Sequence, residues 1–265
     1  MPRMTIHTTT NNINVKNILL QLSFGLGDQI ICARYAKYFA QYAPTTVMAS
    51  RNLVSLISRV DGVTNCIADE ENPTETFDTT INMITGIQHI EGFTLPAVSG
   101  EAYLTAEPRQ LKGTFKVGLR WAGCPIFEHE LKRVFDPQYM LDLTTISGPT
   151  FYALQRDHSL IDVPFTDLRN DMNTWEDTAS ILKGLDLVIT SDTSVAHCAG
   201  ALGVETWIVV PTRLRAYYPW VYQDRTPNKT KWYNSVTLFR QETEDNWDKP
   251  FVDIRQALIE KIAQL

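Results

Sequence analysis

The sequence lacks the patterns that assign a chain to several common enzyme classes. No G-x-x-x-x-G-K-[ST] run is present, which excludes a P-loop, and no G-x-S-x-G run is present, which excludes the nucleophile elbow of α/β-hydrolases. No D-x-D triplet occurs, although carboxylates in that spacing hold the divalent metal in many enzymes that use nucleotide-sugars. No apolar run reaches the roughly 18 residues that a membrane-spanning helix needs.

Cysteine is also scarce. The chain contains Cys32, Cys66, Cys124 and Cys198, and none of them forms a C-x-x-C pair. Such spacing predicts buried free thiols in a reducing compartment rather than disulfides. Cys124 and His129 could begin a zinc site, but no second ligand pair follows at a usual spacing. The sequence therefore predicts no metal site and no cofactor.

Charge and length place the chain among ordinary globular proteins. Its 265 residues carry a net charge of −6, and 44% of them are hydrophobic. A mildly acidic chain is a poor general binder of nucleic acid or anionic membranes. Met1 to Asn14 lacks the basic and apolar regions of a secretory signal. We therefore expect a cytoplasmic protein with one large domain or two small ones, no nucleic-acid partner and no transmembrane segment.

Two stretches of alternating strand and helix patterns divide the chain. Each has buried apolar runs that lead into amphipathic segments, which predicts α/β architecture with parallel sheets. The region 70–107 is rich in Thr, Pro and Gly and is predicted to be irregular. We expect an N-terminal lobe at 15–110, a C-terminal lobe at 111–250, and a final helix within 251–265 that packs back towards the N-terminal lobe. The predicted strands are 17–22, 45–49, 63–67, 115–120, 150–155, 185–190 and 205–210, and the predicted helices begin near 28, 53, 174, 192 and 251.

The sharpest local signal is the run Ser191-Asp192-Thr193-Ser194, where a buried strand passes directly into a helix. The first amides of a helix have no intrahelical partner and carry partial positive charge, so they suit a phosphate. The alternative is that Asp192 or Thr193 only caps the helix. His197, one turn further on, is either structural or a contact for the phosphate or a sugar.

A second signal, Ser-Phe-Gly-Leu-Gly-Asp, follows the first predicted strand. Gly25 and Gly27 permit a tight turn and close approach of a ligand. Ile30 stands where a dinucleotide fingerprint needs a small residue, which disfavours NAD and FAD. Asp28 is either the cap of the next helix or a general base that accepts a proton from an incoming hydroxyl.

A third signal begins at the strand that carries Trp121 and continues to the adjacent cations Lys132 and Arg133. These cations could neutralise a diphosphate leaving group, or they could be a solvated basic pair. The segment 211–234 is dense in aromatic residues and arginines, which suits a sugar or a base, or packing between lobes. Its members are Arg213, Arg215, Tyr217, Tyr218, Trp220, Tyr222, Trp232 and Tyr233.

These motifs together resemble the heptosyltransferase-like glycosyltransferases of GT-B fold, and most closely the versions at the ends of bacterial TPR proteins. The resemblance rests on VGLRWAGCP, KRVF, FYALQ, DTASILKGLDLVITSDTSVAHCAGALG, WYNSVTLFRQ and NWD, which follow the family's order over most of 115–250. FGLGDQI resembles the family's first glycine loop. The resemblance implies two Rossmann-like lobes with a cleft between them, and the N-terminal lobe is short for the family.

The resemblance also implies an activity and a role for each residue that it covers. Family members transfer a sugar, here a hexose or heptose, from a nucleotide-diphosphate donor to a hydroxyl acceptor, with inversion and without an essential metal. The family's proposed catalytic base falls on Asp28, and the family often has Asn where this chain has Cys124. The residues implied for the donor and its phosphates are Arg133, Gln155, Asp192, Thr193, Ser194 and His197, and further candidates are Gly25, Gly27, Trp121 and Lys132.

Two other functions fit the same sequence. A nucleotide-sugar epimerase of GT-B fold would need further acid and base groups in the cleft. A non-catalytic module that binds a nucleotide-sugar would be consistent with a short first lobe.

Overall fold

The computed structural model describes residues 15–83, 89–90, 93–125, 132–156, 160–212, 216–221 and 228–265. Across those ranges, no helix combines the length and the apolar character that crossing a membrane requires. The strands are β1 Ile18–Leu22, β2 Thr45–Ala49, β3 Val63–Ala68, β4 Thr79–Met83, β5 His89–Ile90, β6 Phe93–Thr94, β7 Lys116–Arg120, β8 Thr150–Ala153, β9 Thr166–Asp167, β10 Leu187–Ser191, β11 Thr206–Val210 and β12 Val236–Arg240. The helices are α1 Leu26–Ala33, α2 Ala36–Phe39, α3 Arg51–Ile57, α4 Gln138–Leu143, α5 Trp175–Lys183, α6 Ser194–Ala201, α7 Tyr218–Val221 and α8 Asp248–Ile262.

Two parallel sheets form the framework, as the alternating pattern predicts. The first has four strands in the order β3-β2-β1-β4, and the second has six in the order β12-β11-β10-β7-β8-β9. The strand order reverses at β1/β4 in the first sheet and at β7/β10 in the second. Ligands of open parallel sheets bind at the carboxyl ends of the strands beside such reversals. The short strands β5 and β6 pair antiparallel outside both sheets.

Local sequence explains where the helices next to the second sheet begin and end. Thr174 and Asp177 form a reciprocal capping box at the start of α5, with both hydrogen bonds present. The cap residue of α6 at its C-terminal end is Leu202, and Gly203 follows it with a φ of 73°. That left-handed conformation favours glycine, which confirms the predicted end of this helix.

The two lobes share one hydrophobic core. Buried side chains of β1, α1 and α3 belong to the same cluster as those of α5, α6 and β11. Helix α1 packs directly against α6, and a Cβ atom built on Gly27 would lie 3.5 Å from the Cα atom of Ser194 and 2.8 Å from the ring of His197. Gly27 therefore allows the two helices to approach closely, and their first turns meet at the boundary between the lobes.

The final helix does not pack where the sequence predicts. The buried side chains of α8, Phe251, Ile254 and Leu258, join the core on the other face of the second sheet, with β7, β8 and α4. The ring of Phe251 also stacks on that of Tyr139 with centroids 4.8 Å apart. The prediction of a return to the N-terminal lobe is wrong because the apolar stripe of α8 covers a face of the second sheet instead.

Two other expectations need correction. The region predicted to be irregular contains β4, an edge strand of the first sheet that pairs with β1 throughout its length. The cysteines are free, but only Cys32 and Cys198 are buried, whereas Cys66 is half-buried and Cys124 is exposed. Burial raises the pKa of the Cys66 thiol to about 12.

Candidate functional site

A cleft of about 810 Å³ lies between the lobes at the carboxyl ends of β1, β2, β7 and β10. This volume falls within the range of ordinary small-molecule sites. The first lobe contributes Gly25, Leu26, Gly27, Asp28, Arg51, Asn52 and Ser55, and the second contributes Arg120, Gly123, Cys124, Arg133, Arg156, Met172, Asn173, Thr174, Trp175, Glu176, Thr178, Asp192, Thr193, Ser194, Val195, His197 and Tyr217.

The junction between β10 and α6 forms one wall of this cleft. Thr193 is the N-cap residue of α6 and has extended backbone, but its side chain makes no capping hydrogen bond. Its hydroxyl lies 3.4 Å from that of Thr190, which donates to the carbonyl of Ser191 at 2.8 Å. Ser194 is partly exposed at the cleft. Capping by a side chain therefore does not account for the polar residues here, and the start of α6 borders open space.

His197 is buried behind this junction. It is only 3% exposed, and its ring stacks on Trp220 with centroids 4.9 Å apart and planes 9° apart. Its Nδ1 atom lies 3.3 Å from the hydroxyl of Tyr233. Burial, helped by the charges of Arg34 and Arg133, lowers the pKa of His197 to about 3. The imidazole is therefore neutral at pH 7, and its 4.0 Å approach to Asp192 is not an ion pair.

Asp28 lies in the first turn of α1, opposite the start of α6. Gly25, not Asp28, is the N-cap residue of α1, so the capping alternative for Asp28 is wrong. The hydroxyl of Tyr217, from the second lobe, donates to Oδ1 of Asp28. A Cβ atom built on Gly25 would lie 3.2 Å from Oδ2 of Asp28. The hydroxyl of Tyr217 thus links this carboxylate to the second lobe, and any side chain at position 25 would crowd the Oδ2 atom.

Arginines surround the junction. Arg133 donates to the backbone carbonyl of Asp192, which places its guanidinium at the start of α6. Arg120 is buried at the end of β7 and donates to the carbonyl of Leu154 at 2.9 Å. Arg156 lies on the same side of the cleft. Such groups provide the positive charge that an anionic ligand needs.

Three predicted site residues lie outside the cleft lining. Gln155 is 1% exposed, and its side-chain oxygen accepts hydrogen bonds from the backbone amides of Trp121 and Ala122 at 3.2 and 3.0 Å. The prediction that Gln155 lines a ligand pocket is therefore wrong, because its amide supports the β7 loop instead. Trp121 is buried in the core of the second sheet, and Lys132 is exposed and is not one of the lining residues.

The sequence did not single out several residues that the fold brings to the cleft. Arg51, Asn52 and Ser55 come from α3, and Trp175 and Glu176 come from the start of α5. Their only sequence signal is that they belong to helices that begin at the ligand-binding edge of a sheet. Of the aromatic segment, Tyr217, Trp220 and Tyr233 contact His197. His129, Arg213, Arg215 and Tyr222 lie outside the described residues, and so does the Tyr218 side chain.

The described side chains also bear on whether the protein could bind a metal ion. Among them, no group of three or more His, Cys, Asp and Glu residues is placed to hold a metal ion.

The chain resembles solved structures in fold, whereas no protein-family model and no curated protein matches its sequence. A glycosyl transferase family 9 protein from Veillonella parvula superposes with a TM-score of 0.64 at 11% identity, covering 92% of this chain and 95% of that one. E. coli ADP-heptose LPS heptosyltransferase II gives 0.60 at 13% identity, with 94% and 98% covered. E. coli heptosyltransferase WaaC, solved with ADP, gives 0.60 at 9% identity, with 93% and 99% covered. At these identities the similarity concerns the fold, so the chain has the GT-B-like architecture of these glycosyltransferases.

Proposed function

We propose that this chain is an inverting glycosyltransferase that moves a sugar from a nucleotide-diphosphate donor to a hydroxyl acceptor. One observation carries the proposal. The carboxylate of Asp28 and the strand-helix junction that begins α6 share one cleft, at the carboxyl ends of two parallel sheets. An acid-base group and an anion site in one cleft are what this transfer requires.

The second lobe would hold the donor. The first amides of α6 and the hydroxyls of Thr193 and Ser194 would bind the diphosphate. Arg133, fixed on the carbonyl of Asp192, would offset the charge that develops as the diphosphate leaves, and Arg120 and Arg156 would add to this field. Arginines would thus supply the positive charge that a bound metal supplies in other transferases. His197 would support the junction as a neutral ring.

The first lobe would hold the acceptor. The acceptor oxygen would attack the anomeric carbon from the face opposite the diphosphate, and the bond from that carbon to the diphosphate oxygen would break. The acceptor proton would pass to the carboxylate of Asp28, which the hydroxyl of Tyr217 would orient. Attack from the opposite face inverts the anomeric centre.

The test separates donor binding from transfer. The structural relative WaaC was solved with ADP, so ADP-sugars are the first donors to assay, followed by UDP- and GDP-sugars, against a panel of saccharide acceptors. Asp28→Asn should lower the transfer rate at least about a hundredfold, the range expected for a general base. Donor affinity by calorimetry should change little, because the amide keeps the size of the side chain. The matched control is Asp253→Asn on the exposed surface of α8, which should leave both values unchanged.

Each alternative has its own outcome. Transfer by Asp28→Asn at the wild-type rate removes Asp28 from this role. Donor binding with no transfer to any acceptor supports a binding module, and conversion of the donor sugar with no acceptor present supports an epimerase.

A further inference from the structure

Phe24, in the loop between β1 and α1, has a backbone conformation that burial of its own side chain does not explain. Its φ is 70°, in the left-handed region that bulky side chains rarely occupy. Its side chain is also 71% exposed, so the ring gains little from burial. Glycine would suit this backbone better, and a polar residue would suit this exposure better. Strain of this kind persists mainly at sites that bind or react.

The surrounding structure fixes Phe24 in this state. Gln29 is buried, and its side-chain nitrogen donates to the carbonyl of Phe24 at 3.0 Å and lies 2.9 Å from the hydroxyl of Ser50. Its side-chain oxygen accepts from the amide of Ser50 at 2.8 Å. Ser50 is the N-cap residue of α3. One buried amide therefore joins the Phe24 loop to the helix that supplies the other first-lobe residues of the cleft.

Phe24 lies at the edge of the cleft in the first lobe, which is the lobe proposed to hold the acceptor. It directly precedes Gly25, which lines the cleft and is the N-cap residue of the helix that carries Asp28. Apart from Leu26 and the two glycines, the first-lobe wall is polar and comes from Asp28, Arg51, Asn52 and Ser55. An aromatic ring beside polar groups matches a sugar, which has an apolar ring face and polar edges, better than it matches an acyl chain.

We propose that Phe24 is an acceptor-binding residue. Its ring would pack against the face of a saccharide and so direct a hydroxyl of that saccharide towards Asp28. This inference rests on the proposed function for its role in transfer, but the binding itself is measurable without turnover. Two variants separate the ring from the backbone. Phe24→Asn removes the ring and tolerates a left-handed φ, whereas Phe24→Tyr keeps the ring.

The experiment measures binding of methyl hexosides and disaccharides to the protein by saturation-transfer NMR. Octanol serves as the apolar comparison ligand. Phe24→Asn should weaken saccharide binding about tenfold, as expected for loss of one stacked ring. Phe24→Tyr should retain wild-type binding, and the Tm of Phe24→Asn should be no lower than that of the wild type. If the wild type shows transfer activity, Phe24→Asn should raise the KM for the acceptor and leave the Kd for the donor unchanged.

Other outcomes overturn the inference. Equal saccharide binding by wild type and Phe24→Asn removes Phe24 from the site, and so does wild type that binds no saccharide. Binding of octanol that depends on Phe24, without binding of saccharides, contradicts the sugar assignment. Failure of every nucleotide-sugar to bind or react contradicts the proposed function instead, and the NMR result still decides the role of Phe24.

Discussion

The two strand-helix junctions that meet in the cleft are built differently. The junction from β10 to α6 is buried apart from Ser194 and is supported by aromatic rings around His197. The junction from β1 to α1 exposes Phe24 and Gly25 and leaves Asp28 half-buried. A buried junction suits the diphosphate, which is common to all such donors, whereas an accessible one suits an acceptor that must enter and leave. The difference indicates which lobe would hold which substrate.

The contact between the junctions gives the largest expected effect. Gly27→Ala places a methyl group 2.8 Å from the His197 ring, so we expect a loss of about 1–3 kcal/mol of unfolding free energy, as for an overpacked core. Gly25→Ala is the matched control, because its backbone is compatible with alanine and its nearest neighbour is the flexible end of Asp28. Denaturant unfolding measures both variants.

A double-mutant cycle sharpens this comparison. Replacing His197 by Ala removes the atom that the new methyl group meets, so Gly27→Ala should cost less in that background than in the wild type. Equal costs in the two backgrounds would mean that the junctions do not restrain each other.

The second effect is a dependence of the unfolding free energy on pH, which arises from the buried His197. An unfolded His197 takes up a proton near pH 6.5, whereas the folded residue has a pKa of about 3. The unfolded state therefore binds more protons between these values, and stability falls as the pH drops through that window, by up to about 1.4 kcal/mol per pH unit. Denaturant unfolding from pH 7 to pH 4 should give a shallower slope for His197→Gln. Parallel slopes would show that His197 at the β10–α6 junction is hydrated rather than buried.

Arg133 places a positive charge at the β10–α6 junction, and removing that charge should weaken ADP binding. Arg133→Met keeps an apolar stem but removes the guanidinium beside Asp192, so ADP affinity should fall about tenfold, the scale of one charge-assisted hydrogen bond. The affinity of the variant should also depend less on salt. Calorimetry at two ionic strengths measures both, and unchanged affinity would place the diphosphate elsewhere.

The smallest effect concerns the outer edge of the cleft. Arg59 of the first lobe donates to both oxygens of Glu176 at 2.8 Å, and each side chain is more than a third exposed. Such pairs contribute at most about 1 kcal/mol, so Arg59→Ala should lower the Tm only slightly and should not change donor affinity. A large fall in Tm would mean that this edge, rather than the α1–α6 contact, holds the lobes together.

The sequence predicted the second lobe better than the first. Strands such as β10 are buried along their whole length, so a continuous apolar run identifies them. β4 alternates buried and exposed residues and lies at the edge of its sheet, in a segment rich in Thr and Pro, so its period was hidden. The position of α8 could not be predicted, because an apolar stripe does not state which of two sheets it covers.

The site was predictable where a motif fixes both the backbone and the direction of the side chain. Gly27, Asp28 and Ser194 lie in strand-helix junctions, and the fold brings all three to the cleft. Gln155 stands at a strand end of the same kind, yet its side chain turns back to the backbone of the β7 loop. The contact of Tyr217 with Asp28 joins residues far apart in sequence, so no local pattern could reveal it. The likeness to glycosyltransferases of TPR proteins stays a prediction.

The most direct test of the central claim is calorimetric titration of ADP into wild type and Ser194→Asp. A carboxylate at this position favours the helix but repels a diphosphate at the same amides, so the variant should keep its Tm while its Kd for ADP rises at least about tenfold. Gln138→Asp, in the first turn of α4 and outside the cleft, is the matched control and should bind ADP as the wild type does. Equal ADP affinity in wild type and Ser194→Asp would contradict the assignment of the diphosphate to the start of α6.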